Sequence, residues 1–183
     1  MSTFFRTRHL ELADPMTDKI NIRLAKDNDL EAILKIWING IENSFDISTT
    51  DLNIAKKKFK ENFDNRQDIF NFWVAVDNDD RVIGWQSLIK TSNNPFRENI
   101  YAESSTYIDS SIRYKGLGQT LLEYVIKAAE ETNLEYIIGF VAKTNKAARK
   151  ITSETGWIEI GEIPPSGKTR SNYSKLILIR TLK

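Results

Sequence analysis

The stretch richest in chemistry is Tyr107-Ile108-Asp109-Ser110-Ser111-Ile112-Arg113-Tyr114-Lys115-Gly116-Leu117-Gly118-Gln119-Thr120-Leu121-Leu122. A strand-like run enters a loop with two glycines, and the loop opens into an apolar helical pattern. A helix start leaves its first N–H groups without partners and carries positive partial charge, so an anion there gains hydrogen bonds and dipole stabilisation. Gly116 and Gly118 lack a Cβ, which lets a bulky phosphate approach the backbone. Arg113 and Lys115 add positive charge beside those donors. The pattern is that of a pyrophosphate cradle. It is not a P-loop, because Gln119 and not Lys follows Gly118, and the loop itself holds no Gly-Lys-Ser/Thr. Nor is it a dinucleotide fingerprint, since Leu121 stands where the third glycine would fall.

The elements that must hold this loop follow from periodicity. Residues 20–24 alternate apolar and polar, which predicts a first strand. Asp27-Asn28-Asp29 offers N-cap chemistry, and Leu30, Ile33, Leu34, Trp37 and Ile41 then make one apolar helix face that fades near Asn43-Ser44. Residues 51–63 read as a more polar helix, 69–76 and 82–89 as two strands of a hairpin, and 100–108 as a fourth strand. A helix from Leu117, a strand over 136–142, a helix over 145–155 ending at Gly156, and strands over 157–160 and 176–182 complete the order. Such mixed connections suit an α+β or mixed α/β sheet.

The chain of 183 residues fits one domain, taken as residues 19–183, with residues 1–18 as an extension lacking periodicity. Lys plus Arg number 26 and Asp plus Glu 25, a net charge of +1 that argues against nucleic acid as a partner. Zero cysteines exclude disulfides, thiolate metal sites and Cys nucleophiles, and His9, the single histidine, excludes a multi-histidine centre, so no metal is expected. No apolar run is long enough to span a bilayer, and Phe4-Phe5 is followed at once by polar residues, so a cytoplasmic protein without a membrane partner is expected.

Arg113-x-x-Gly116-x-Gly118 at a strand-to-helix turn resembles the acyl-CoA loop of the GNAT superfamily of N-acyltransferases, and the likeness runs over about residues 20–182. Within it, Glu103-Ser104-Ser105-Thr106-Tyr107-Ile108 is similar to the Glu-Ser-(Ser/Thr)-x-Tyr-(Val/Ile) strand of the phosphinothricin N-acetyltransferase subgroup. The resemblance implies a central mixed, mostly antiparallel twisted sheet of about six to seven strands with helices on both faces. It also implies acetyl-CoA as cosubstrate, a small amine as acceptor and, as in many relatives, a homodimer. The acceptor implied is an amino acid or an analogue such as phosphinothricin or methionine sulfoximine.

By that resemblance Glu103 is the general base, and Thr106, Tyr107 and Ile108 offer backbone groups to the acetyl and pantetheine part. Arg113, Tyr114, Lys115, Gly116, Leu117, Gly118, Gln119 and Thr120 hold the pyrophosphate, and Asn145 caps the next helix and meets the pantetheine arm. The chemistry is coherent: an amine is mostly protonated at neutral pH, and a carboxylate can take the proton that masks its lone pair. One departure stands out. Many relatives carry Tyr or His seven residues after that Asn, where this chain has Thr152. A non-catalytic acyl-CoA-binding sensor module is therefore the alternative. A run of lysines, Lys56, Lys57, Lys58 and Lys60, reads as a solvated helix face. Tyr173, Trp37, Phe45, Trp73 and Trp85 could line a substrate cavity, although core packing is the commoner use of such aromatics.

Overall fold

The computed structural model describes residues 20–44, 51–112, 114–165 and 174–183. Along the chain run β1 (Asn21–Leu24), α1 (Leu30–Ser44), α2 (Leu52–Asp64), β2 (Phe72–Val76), β3 (Val82–Lys90) and β4 (Tyr101–Ile108). There follow α3 (Leu117–Glu130), β5 (Tyr136–Ala142), α4 (Lys146–Glu154), β6 (Ile158–Ile163) and β7 (Lys175–Thr181). Every element expected from periodicity is present in the expected order. β2 begins later than expected, because residues 67–70 close a turn in which Gln67 and Phe70 exchange backbone hydrogen bonds at 3.0 and 2.9 Å and Asp68 takes a φ of 49°.

The seven strands form one sheet in the order β1-β2-β3-β4-β5-β7-β6. The pairs are antiparallel except β4 with β5. A parallel pair needs a long crossover, and α3 supplies it. The apolar stripe of α1 and the phenylalanines of α2 cover one face of the sheet, where Ile33, Ile36, Phe59 and Phe63 pack on Phe72, Val74, Val76 and Trp85. α3 covers the other face, where Leu122, Val125 and Ala129 meet Trp73, Leu88, Ala102 and Ile137. Ile151 of α4 packs against that second cluster.

Alternation along β4 divides its side chains between these two layers. Tyr107 joins the α1 layer and Ala102 the α3 layer. Glu103 and Ser105 therefore face the α1 side, and Ser104 and Thr106 the α3 side.

Candidate functional site

The parallel ladder between β4 and β5 holds only from Tyr101 with Tyr136 to Ser104 with Gly139. β4 continues to Ile108 and β5 to Ala142, each held on its outer edge, by β3 up to Ile108 and by β7 up to Ala142. Two central strands pinned outside but unpaired inside form a fork. Backbone groups that face a fork lack ladder partners, and a cleft opens there. Glu103, Thr106, Gly139, Asn145, Thr152 and Trp157 are among the residues that line it.

Glu103 sits at the closed end of the fork, partly buried. Burial raises the pKa of its carboxyl above the ordinary value. No hydrogen bond or ion pair to it occurs among the described residues. A half-buried carboxylate without a cation beside it is a base in want of a proton.

Beyond β4 the chain turns on Asp109, whose Oδ1 accepts from the Ser111 backbone N–H at 2.9 Å and the Ser111 hydroxyl at 2.8 Å. The backbone N–H of Ser111 and the hydroxyl hold that carboxyl below the usual range. Gly116 then takes φ 86° and ψ −4°, a left-handed conformation that suits glycine, and becomes the N-cap of α3. The first helical bond is Thr120 N–H to Gly116 O at 2.9 Å, so the amides of Leu117, Gly118 and Gln119 precede it. A Cβ built on Gly116 meets no atom within 4 Å. The turn thus leaves open space in front of free amides at a helix start, and these residues fit a pyrophosphate.

The other expected residues fall in place around this turn. Leu117 is buried and anchors α3, Tyr114 packs near it, and Lys115 is exposed. Gln119 donates to Glu123 at 2.9 Å, and the Thr120 hydroxyl donates to Gly116 O at 3.2 Å. Gly118 lies where a Cβ would sit 3.5 Å from Ile151 and 3.7 Å from Ile108, so it joins the loop to the cleft wall. Asn145 caps α4 by accepting from the Ala148 N–H at 3.0 Å and also lines the cleft. Arg113, Phe45, Tyr173, His9 and the extension 1–18 lie outside the described residues.

Tyr107 is a different case, since its side chain leaves the cofactor side and packs under α1. Its ring stacks on Trp85 at 4.9 Å and 21°, and the Trp37 indole N–H donates to its hydroxyl. Burial pushes the phenol up, the Trp37 bond opposes this, and the charge of Glu103 adds to the rise. Gly40 permits the arrangement, because a Cβ there would meet the Tyr107 ring at 2.5 Å. Of the aromatics, Trp73 and Trp85 belong to the core at 5% and 1% exposure.

Thr152 lines the cleft, but its hydroxyl bonds back to the carbonyls of Ala148 at 3.0 Å and Arg149 at 3.1 Å. The sequence motifs contain Ser104 and Trp157 without assigning them a role, and Gln86 falls outside every motif. A polar Gln86-Ser87 pair inside the apolar run of β3 is the signal that marks Gln86.

Comparison with known proteins agrees with this geometry. Residues 34–157 match the model of the Acetyltransferase (GNAT) family. YwnH of Bacillus subtilis (strain 168), described provisionally as a phosphinothricin acetyltransferase, is 28% identical over 145 residues, covering 79% of this chain and 88% of that protein. A crystal structure of another provisional phosphinothricin N-acetyltransferase superposes with a TM-score of 0.78 at 27% identity, covering 90% of this chain and 99% of that one. The fold is shared with a Sinorhizobium meliloti phosphinothricin acetyltransferase solved with acetyl-CoA, at TM-score 0.72, 17% identity and 88% coverage of each chain. With the family model spanning most of the sequence and the fork and glycine turn in place, the chain belongs to the GNAT family of acetyltransferases.

Proposed function

We propose that this acetyltransferase moves the acetyl group of acetyl-CoA to the primary amine of a small molecule, an amino acid or analogue such as phosphinothricin or methionine sulfoximine. Glu103 is the general base in this reading. The observation that carries it is the unpaired, partly buried Glu103 carboxyl at the closed end of the fork, with its pKa raised by burial. A base whose pKa moves toward neutrality is better matched to taking a proton from an ammonium group.

Acetyl-CoA, when bound, supplies the acyl group and a sulfur leaving group. The amides of Leu117, Gly118 and Gln119 and the positive end of α3 hold its phosphates, with Lys115 and Arg113 adding charge. Asn145 and the unladdered edge of β4 at Thr106, Tyr107 and Ile108 line its arm. Glu103 takes the amine proton on the α1 side, and backbone N–H groups along the fork donate to the charge that develops on the acyl oxygen.

Residues 19–183 act as one catalytic domain in this proposal, with 1–18 appended and a cytoplasmic location. Among the described residues, no helix is long and apolar enough to cross a membrane. A homodimer belongs to the same proposal, supported by the exposed isoleucines Ile158, Ile160 and Ile163 on β6, and light scattering tests it.

The deciding experiment is thiol release from acetyl-CoA against amino acids, their phosphinic and sulfoximine analogues, polyamines and peptide N-termini. Turnover on one class that is lost in Glu103→Gln supports the reading. Saturable CoA binding without turnover on any amine would return the sensor alternative.

A further inference from the structure

Gln86 is 0% exposed in the middle of β3, and a buried amide costs free energy unless its donors and acceptor are matched. Two hydroxyls of the next strand match it. The Gln86 amide nitrogen donates to Ser104 Oγ at 2.6 Å, and the Thr106 hydroxyl donates to Gln86 Oε1. The same amide nitrogen lies 3.5 Å from the Ser87 carbonyl, where the amide oxygen would face another oxygen, and this favours the orientation.

The network has a direction. Thr106 gives its proton to Gln86, whereas Ser104 accepts, and the Ser104 proton has no acceptor among the described residues. Ser104 is also the last β4 residue in the ladder with β5, opposite Gly139. Ser104 points to the α3 side. Gly139 has no side chain to fill that point, and a Cβ there would come within 3.1 Å of the Trp157 ring. A hydroxyl with an uncommitted proton is thus held by a buried amide at the floor of the fork.

The remaining hydroxyls of the cleft are placed differently. Thr152 bonds to its own helix, Thr106 donates to Gln86, and Tyr107 and Ser105 face the α1 side. We propose that Ser104 is a catalytic hydroxyl that donates to the thioester sulfur as it departs, and that Gln86 is the positioning residue that aims it. This rests on the acetyl-transfer reading above. The neutral amine, its ammonium proton passed through Glu103 to solvent, forms the nitrogen–carbon bond as the carbonyl pair moves onto oxygen. That pair re-forms the carbonyl as the carbon–sulfur bond breaks, its electron pair stays on sulfur, and the second N–H proton goes to Glu103. Ser104 keeps its own proton and stabilises the charge on sulfur by a hydrogen bond.

The test reads CoA itself as well as turnover. The thiol of bound CoA is titrated by its ultraviolet thiolate absorbance in the wild type, S104A, S104T and Q86L, beside acetyl-transfer kinetics. The expected result is a bound thiol that ionises at lower pH in the wild type and S104T than in S104A or Q86L. Turnover falls about 10- to 100-fold in S104A, the scale of one hydrogen bond to a charged group, while KM for acetyl-CoA is unchanged. The double variant S104A/Q86L is no slower than S104A, because the two residues act through one bond. A thiol that titrates alike in wild type and S104A, with turnover retained, overturns the proposal. S104A and S104T decide the matter even where Q86L fails to fold. A wild type that binds CoA but transfers no acetyl group overturns the acetyl-transfer reading, and this inference with it.

Discussion

Glu103 and Ser104, neighbours in β4, face opposite sides of the sheet at the point where its parallel ladder ends. Glu103 looks toward α1 and Tyr107, and Ser104 toward Gln86 and the α3 layer. A strand alternates its side chains with a period of two, so one dipeptide delivers a carboxylate to one face and a hydroxyl to the other. An acceptor and a cosubstrate approaching from opposite faces would meet between them.

Glu103→Gln is expected to lower turnover by about 100-fold or more, the scale of a lost general base, with CoA affinity retained in calorimetry. In the wild type, kcat/KM should rise with pH through a limb that lies above the ordinary carboxylate range, because burial raises the Glu103 pKa. Stability has the opposite sign. A carboxyl with a raised folded pKa stabilises the fold below its unfolded pKa, and that contribution is lost as pH rises through the folded value. Glu103→Gln should therefore melt at a higher temperature than wild type at neutral pH, and the gap should close in acid.

Gly116→Val tests the cradle. A β-branched residue at φ 86° is strained, and the built side chain enters the open space before the α3 amides. CoA affinity should fall sharply in calorimetry, whereas Gly116→Asn, which tolerates the left-handed region, should lose less.

Gly40→Ala should destabilise the protein by about 1–3 kcal/mol in urea unfolding, the scale of overpacking, because its Cβ meets a Tyr107 ring held between α1 and Trp85. Combining it with Tyr107→Leu should recover part of that loss. A full additive loss would show that the contact does not carry the effect.

Thr152→Ala should change kcat by less than about twofold, since the threonine hydroxyl already bonds to the Ala148 and Arg149 carbonyls of its own helix. A drop as large as that of Glu103→Gln would assign Thr152 a part in the chemistry.

Local pattern explains what was readable. The apolar stripe Leu30, Ile33, Leu34, Trp37, Ile41 set α1, and Gly116 with Gly118 marked the start of α3, because helix period and left-handed turns leave composition signals within a few residues. Nothing local marks where β4 and β5 part. The residues after Ser104 and Gly139 are as strand-like as those before, and the fork arises from outer partners β3 and β7, distant in sequence. The same holds for Tyr107 under Trp37 and Gly40, and for Gln86 between Ser104 and Thr106. These contacts are tertiary, and strand alternation alone does not say which layer will be which.

The short parallel ladder has a mechanical side. Four residue pairs, Tyr101 with Tyr136 to Ser104 with Gly139, join one plate of four strands to another of three. Amides along that seam should exchange slowly with solvent, and those facing the gap beyond it should exchange fast until something fills it. Protection at residues 105–108 and 140–142 would then report occupancy without any reaction being run.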